Sequence, residues 1–317
     1  MNPRERAARL ADDLLFPAAL EVDRADRVPA SHFEALAREG LYDFDGDLAI
    51  VETLASGCLA TTFVWLQHHG PLASARGWPL LDAAMARGDI RGGIARAGAR
   101  PGARSLTATS TVDGYILEGT VPWVTGWGMI NIIEVAALNG DDVVFLFVDA
   151  TESPSIKVEL NRLVAVNASR TVTLTFTGHR VPHDRLVRRQ LFQAWQAAEA
   201  PGSKLNGGLA LGVASRCIRL LEDTSDLRSE LDACREALQS ADSATIPDAR
   251  AAASELAMRA AITLTVQTGS RSVLLDNHAQ RLVREAAFLL VFGTRQKIKE
   301  AVLWRVGRGQ PSACPNG

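Results

Sequence analysis

From Asp113 to Gly128 (DGYILEGTVPWVTGWG) apolar and polar residues alternate, which predicts a half-buried strand. Asp113-Gly114 opens it as a turn, because glycine takes positive φ without steric cost. Trp123 and Thr125 flank one residue, so a regular strand points both to the same face. A ligand there meets a flat aromatic surface and a hydroxyl. Read alone, the segment is a sheet face beside a glycine-rich turn.

The flanks have a different periodicity. Residues 1–90 read as helical: Ala8, Leu10, Leu14 and Leu15 recur at helical spacing. Ser31 with Glu34 suggests a capping box before HFEALAREGL, and Gly40 a helix end. A further helix is expected over Asp47 to Trp65, ended by His68-His69-Gly70. Residues 104–185 hold short Thr/Val/Ile/Phe segments: SLTATSTV, YILEGTVPWVT, IIEVAAL, DVVFLFVD, SIKVEL and RTVTLTFTGHRV. Turns at Asp113-Gly114, Asn139-Gly140-Asp141 and Ser153-Pro154 separate them, a spacing that suggests a small barrel or sandwich. Residues 191–308 return to helix in stretches near 204–222, 224–240, 246–275 and 278–307, with Pro247 in a first turn. Short connections between them suggest an antiparallel bundle. The expected fold class is α+β: an N-terminal helical domain (1–90), a central β-barrel (91–190) and a C-terminal four-helix bundle (191–317).

Composition changes this picture little. With Lys+Arg 34 against Asp+Glu 36, no charge excess draws the chain to nucleic acid or an anionic membrane. No apolar run reaches the roughly 18 residues that span a bilayer, and MNPRERAARLADDLL lacks the features of a secretory signal. The expected location is cytoplasmic. Cys58, Cys217, Cys234 and Cys314 are far apart, with no CxxC and no Cys/His zinc spacing, so free thiols are expected and no metal. Cys314 falls in a Pro/Gly-rich tail.

Three stretches, in order, resemble the acyl-CoA dehydrogenase superfamily. The first is the Trp123-Val124-Thr125 strand, similar to the family's Trp-Ile-Thr turn that packs on the flavin, with Val121 where the family has Lys. The second is FTGHRVPHDRLV (176–187), which resembles the strand leaving the barrel. The third is HAQRLVREAAFLLVFGT (278–294), similar to a helix ending in Glu-Gly-Thr. IVETLASGCLATTFVWLQHHG is similar to the family's N-terminal helices. The resemblance implies helices, barrel and bundle, and an FAD-dependent oxidoreductase acting on the CH–CH bond of an acyl-CoA or acyl-carrier thioester. It implies FAD contacts at Trp123, Val124, Thr125, Ile94, Ala95, Gln267, Gly269, Gly293 and Thr294. It also implies a homo-oligomer, or a hetero-oligomer with a related subunit.

Such a dehydrogenase needs a carboxylate for the α-proton, a hydride acceptor, and donors to the thioester carbonyl. The chain departs from the family pattern at each protein-borne part. Phe292 stands where the Glu of Glu-Gly-Thr is expected. The alternative base position on the first bundle helix, counted back from Leu211-Gly212, falls near Gly202, with no acid there. Glu285 is the nearest carboxylate, read as a salt-bridge or capping partner, so the catalytic residue is unassigned. Ala95-Arg96 replaces Thr-Glu in the first flavin loop, and Pro101-Gly102 replaces Ser-Asp. Arg91, Arg96, Arg100 and Arg104 make that loop basic: a solvated loop, or an anion site. Arg228 is the loose counterpart of the family's pyrophosphate clamp. His68-His69 reads as a cap or core-edge pair, or a pocket base. His179 and His183 read as exposed, and His278 as a helix cap. Two further readings remain open: a non-catalytic partner subunit, and a flavin-dependent monooxygenase, which needs no α-proton base.

Overall fold

The computed structural model describes residues 1–100, 105–198, 204–222, 224–293 and 295–307. Cys314, Pro101-Gly102, Arg104, Gly202 and Thr294 lie outside them. Helices come first: α1 (Pro3–Leu10), α2 (Phe16–Arg24), α3 (Ala30–Arg38), α4 (Leu48–Gly57), α5 (Leu59–Ser74) and α6 (Pro79–Ala86). A widened turn, Ala11–Leu15, joins α1 to α2. Gly57 explains how α4 tolerates it. A Cβ on Gly57 would sit 2.8 Å from both Ala11 O and Leu15 Cβ.

Several local expectations give way here. Pro29, not Ser31, precedes α3, and no side chain caps it. The capping box forms instead at Asn2 and Glu5. The helix expected over 47–65 breaks at Cys58, whose extended backbone (φ −147°, ψ 110°) separates α4 from α5. α5 then continues past His68-His69-Gly70, through Pro71, to Ser74. Gly40 does end its helix at φ +67°.

Eight strands follow: β1 (Gly92–Ala95), β2 (Thr107–Thr111), β3 (Gly114–Val124), β4 (Ile132–Asn139), β5 (Asp142–Asp149), β6 (Ile156–Leu160), β7 (Val172–Pro182) and β8 (Leu186–Leu191). They form one sheet in the order β6-β7-β3-β2-β4-β5-β8, with β1 parallel to β4. The sheet curls around one apolar core that includes Ala95, Leu117, Val121, Val124, Val135, Leu146 and Phe176. It does not close into a barrel: β6 pairs with β7 and β8 with β5, leaving two edges. β1 and β8 had no strand signal of their own, being short or rich in arginine.

The C-terminal helices are α7 (Phe192–Ala198), α8 (Lys204–Leu220), α9 (Ser225–Ser240), α10 (Ile246–Thr268), α11 (His278–Val291) and α12 (Gln296–Gly307). The stretch expected over 278–307 is thus two helices. Asn277, not His278, caps α11 through the Ala279 amide. N-terminal and C-terminal helices share one core: Val51, Leu54 and Ala55 of α4 belong with Leu209, Val213 and Cys217 of α8 and Leu282 of α11. Gly212 lets α8 lie directly on α4, since a Cβ there would meet Ala55 Cβ and Glu52 O at 2.5 Å. The helices therefore form a single body pressed against the curled sheet.

Candidate functional site

α5 ties the sequence landmarks together. Phe63 packs edge-on against Phe292, at the end of α11, with ring centroids 4.8 Å apart. Val64, the next residue, faces Gly126 in the turn after β3: a Cβ on Gly126 would lie 3.2 Å from its Cγ1. Two turns on, Gly70 faces Ile94 of β1, where a Cβ would come 3.0 Å from the Ile94 Cδ1. One helix face thus reaches the end of α11, the Trp-Val-Thr turn and the first loop.

At the Trp-Val-Thr turn the strand is irregular. The β3–β7 register shifts between Val121 and Val124. Trp123 sits in that bulge at φ +64° and is 63% exposed. Thr125 is 3% exposed, so the two do not share a face. A bulge inserts an extra residue and re-aims the side chains around it. The Thr125 hydroxyl bonds Thr171 Oγ1 at 3.1 Å, and Thr171 bonds Ser169 Oγ at 2.9 Å. Val124 lies in the sheet core, paired with Val172.

The facing loop went unnoticed in the sequence. Val166 (φ 51°) and Arg170 (φ 45°) both take the left-handed conformation. Ser169 O accepts from Gly126 N at 2.8 Å, and Arg170 Nε donates to Trp127 O at 3.0 Å. Among the described residues, the three non-glycine positive-φ residues are Trp123, Val166 and Arg170, all in this turn and its partner loop. Each costs on the order of 1–3 kcal/mol, and such strain gathers where function constrains the backbone. No composition signal marks a left-handed valine, because packing rather than propensity imposes it.

The other sequence candidates divide. Ala95 is buried in the sheet core, while Ile94 is half-buried against α5. Gly93 closes the gap to the turn: a Cβ there would be 3.3 Å from Thr125 O. Gly293 is exposed at φ +59° after α11. Gln267 and Gly269 are exposed at the far end of α10, and none of the α5 contacts involves them. Two of the loop arginines, Arg91 and Arg96, are held internally. Arg91 Nε donates to Met129 O at 2.7 Å, and Arg96 pairs with Glu134 at 2.8 Å, as Arg188 does at 3.2 Å. Arg228 Nε donates to Thr224 Oγ1, one helical turn back.

Glu285 is no free base. It is buried beside Arg281, whose Nη1 donates to both carboxylate oxygens at 2.6 and 2.8 Å. Burial pushes its carboxyl up, while Arg281 pulls it back. His68 and His69 lie inside α5 rather than at its end, His68 buried and His69 half-buried. His68 Nδ1 accepts from Gly92 N at 3.0 Å, and burial lowers its pKa to about 4. His179 is half-buried on Ser155, and His183 is exposed. His278 stacks on Phe16 with centroids 4.2 Å apart. Among the described residues no group of His, Cys, Asp and Glu could hold a metal, and Cys58, Cys217 and Cys234 are free.

The bovine (Bos taurus) mitochondrial short-chain specific acyl-CoA dehydrogenase is 24% identical over 217 residues, 58% of this chain and 52% of the relative. The match thus spans about half the length of that relative. Butyryl-CoA dehydrogenase from Megasphaera elsdenii superposes with TM-score 0.80 at 16% identity, over 97% of this chain and 99% of that one. The chain is similar in sequence to the bovine dehydrogenase and has the acyl-CoA dehydrogenase fold. The FAD complex of PigA superposes with TM-score 0.80 at 16% identity, over 96% of each chain. At such identities the structural likeness shows the fold. No protein-family model matches the chain. Among the described residues, no helix is long and apolar enough to cross a membrane.

Proposed function

We propose that the chain is an acyl-CoA dehydrogenase-like FAD subunit that binds an acyl thioester but brings no α-proton base of its own to the turn after α11. The observation behind this reading is Phe292, whose ring is clasped by Phe63 and Phe288 where the resemblance expects a glutamate. A flavin fits the turn in part. The exposed Trp123 indole offers a flat apolar platform, and the exposed Gly128, at φ +76°, lets the backbone come close. The hydroxyl contacts fit less well: Ala95 has none, and Thr125 is committed to Thr171. Bound FAD supplies the hydride acceptor. The chain itself supplies a stacking surface at Trp123 and an apolar wall at Phe63, Phe288 and Phe292 that keeps water from the acyl chain.

A second reading gains from the same features. In a hetero-oligomer with a related subunit, the partner brings the base and the missing hydroxyls, and this chain completes the site. One experiment separates the two. The purified chain is given FAD, desalted, and its visible absorbance recorded before and after butyryl-CoA is added. Retained flavin that is not bleached supports the main reading. Colourless protein that holds FAD only when mixed with a second family member supports the partner reading. Retained flavin that butyryl-CoA bleaches would overturn the claim that no base is present.

A further inference from the structure

Arg250 of α10 is 1% exposed, one of the largest fully buried side chains among the described residues. Its Nη2 donates to Phe292 O at 3.1 Å. Its Nε and Nη1 are buried with no partner. The other buried arginines of these helices have carboxylate partners: Arg281 has Glu285 and Arg216 has Asp12, each at 2.6 Å. Among the described residues, no carboxylate acts on Arg250. Burial alone moves its guanidinium down, to about 10. An ion buried without a counter-charge is strongly unfavourable, and arginine stays charged rather than shed its proton.

The free nitrogen points to a definite place. Gly293 has no side chain. Chain neighbours aside, a Cβ built there would lie 3.4 Å from Asn206 Nδ2 and 3.6 Å from Arg250 Nη1. Two donors, one of them charged, therefore converge on a point left empty by a glycine. Gly293 is exposed and opens this corner to the outside. The space and the two donors match one or two oxygens. A phosphate, with more oxygens to satisfy, needs more donors than stand here.

We propose that the corner formed by Arg250, Asn206 and Gly293 is a binding site for one small carboxylate group. The carboxylate comes either from a small-molecule ligand or from an acidic side chain of a neighbouring chain. Its chemistry is the same in both cases: two oxygens, one negative charge, and charge-assisted bonds to Arg250. The site lies directly behind Phe292, so the bound group also braces the turn after α11. The inference does not depend on flavin binding.

The test uses the whole chain and formate as the probe. Carbon-13 formate is titrated into the protein and followed by NMR line width. Thermal midpoints are recorded as formate replaces sulfate at matched ionic strength. Saturable broadening and a rise of about 2 °C or more are expected. Arg250→Met should lose both effects. Asn206→Asp places a carboxylate inside the corner. It should raise the midpoint in formate-free buffer and abolish the formate response, and it remains informative if Arg250→Met does not fold. The particle mass, by analytical ultracentrifugation, tells the sources apart. A mass lowered by formate assigns the carboxylate to a neighbouring chain, and an unchanged mass assigns it to a small molecule. No saturable binding to the wild type would mean a buried water only, and the proposal fails. A full formate response retained in Asn206→Asp would overturn it as well.

Discussion

Phe292 meets Phe63 edge-on at 82° and stacks on Phe288 at 15°, so aromatic contact ties the end of α11 to α5. Edge-to-face and offset pairs contribute about 0.5–1.5 kcal/mol each beyond the area they bury.

Phe292→Glu tests the proposed lack of a base directly. The substitution loses the aromatic contacts and half-buries a carboxylate, at a cost of about 1–3 kcal/mol. If flavin and thioester bind here, the variant should bleach its flavin with butyryl-CoA at least about tenfold faster than the wild type. Equal rates in stopped-flow absorbance would remove the match between this turn and the family's Glu-Gly-Thr.

Trp123→Gly separates strain from ligand binding. The indole is 63% exposed, so little packing is lost, and glycine accepts φ +64° without cost. The thermal midpoint should stay level or rise, while FAD retained after desalting falls. Flavin content unchanged from the wild type would mean that the strand does not stack on flavin.

The Arg281–Glu285 pair is a different kind of element, held wholly inside the helical core. Glu285→Leu leaves Arg281 charged and unpaired, which should cost about 3–5 kcal/mol in urea unfolding. Adding Arg281→Met should recover most of that loss, because a packed apolar pair avoids the desolvation. A double variant as unstable as the single one would show that the ion pair itself is needed.

Burial, the main cause, holds His68 at about 4 in the folded chain against 6.5 ordinarily, and does the same for His278. The folded state thus prefers both rings neutral, while the unfolded chain takes up their protons below 6.5. Their contribution is whole above that value and is lost as pH falls towards about 4. His68→Gln keeps an acceptor for the Gly92 amide and does not titrate. Its thermal midpoint should fall less between pH 7 and pH 5 than that of the wild type, as scanning calorimetry would show. Parallel curves would mean that His68 does not set the acid limb.

Alternation along Asp113–Gly128 correctly announced β3, since one buried face imposes it on any strand. It could not announce the bulge at Trp123, because one extra residue changes which face follows without changing composition. Glu285 was legible as an ion-pair residue from its place in Arg-Glu-Ala, but its partner, one helical turn back, required the structure. The 166–171 loop was illegible, because its left-handed backbone is fixed by hydrogen bonds to a turn more than 40 residues away.

By itself, the sequence determined the order of helices, strands and helices, and the phenylalanine at position 292. Periodicity and residue identity are local properties, and the chain carries them before it folds. Tertiary structure alone decided that α5 joins Phe292, Gly126 and Ile94, that Thr125 turns inward to Thr171, and that Arg250 is buried without a counter-charge. Those outcomes depend on which distant residues exclude water from each group, and burial exists only once the elements have packed.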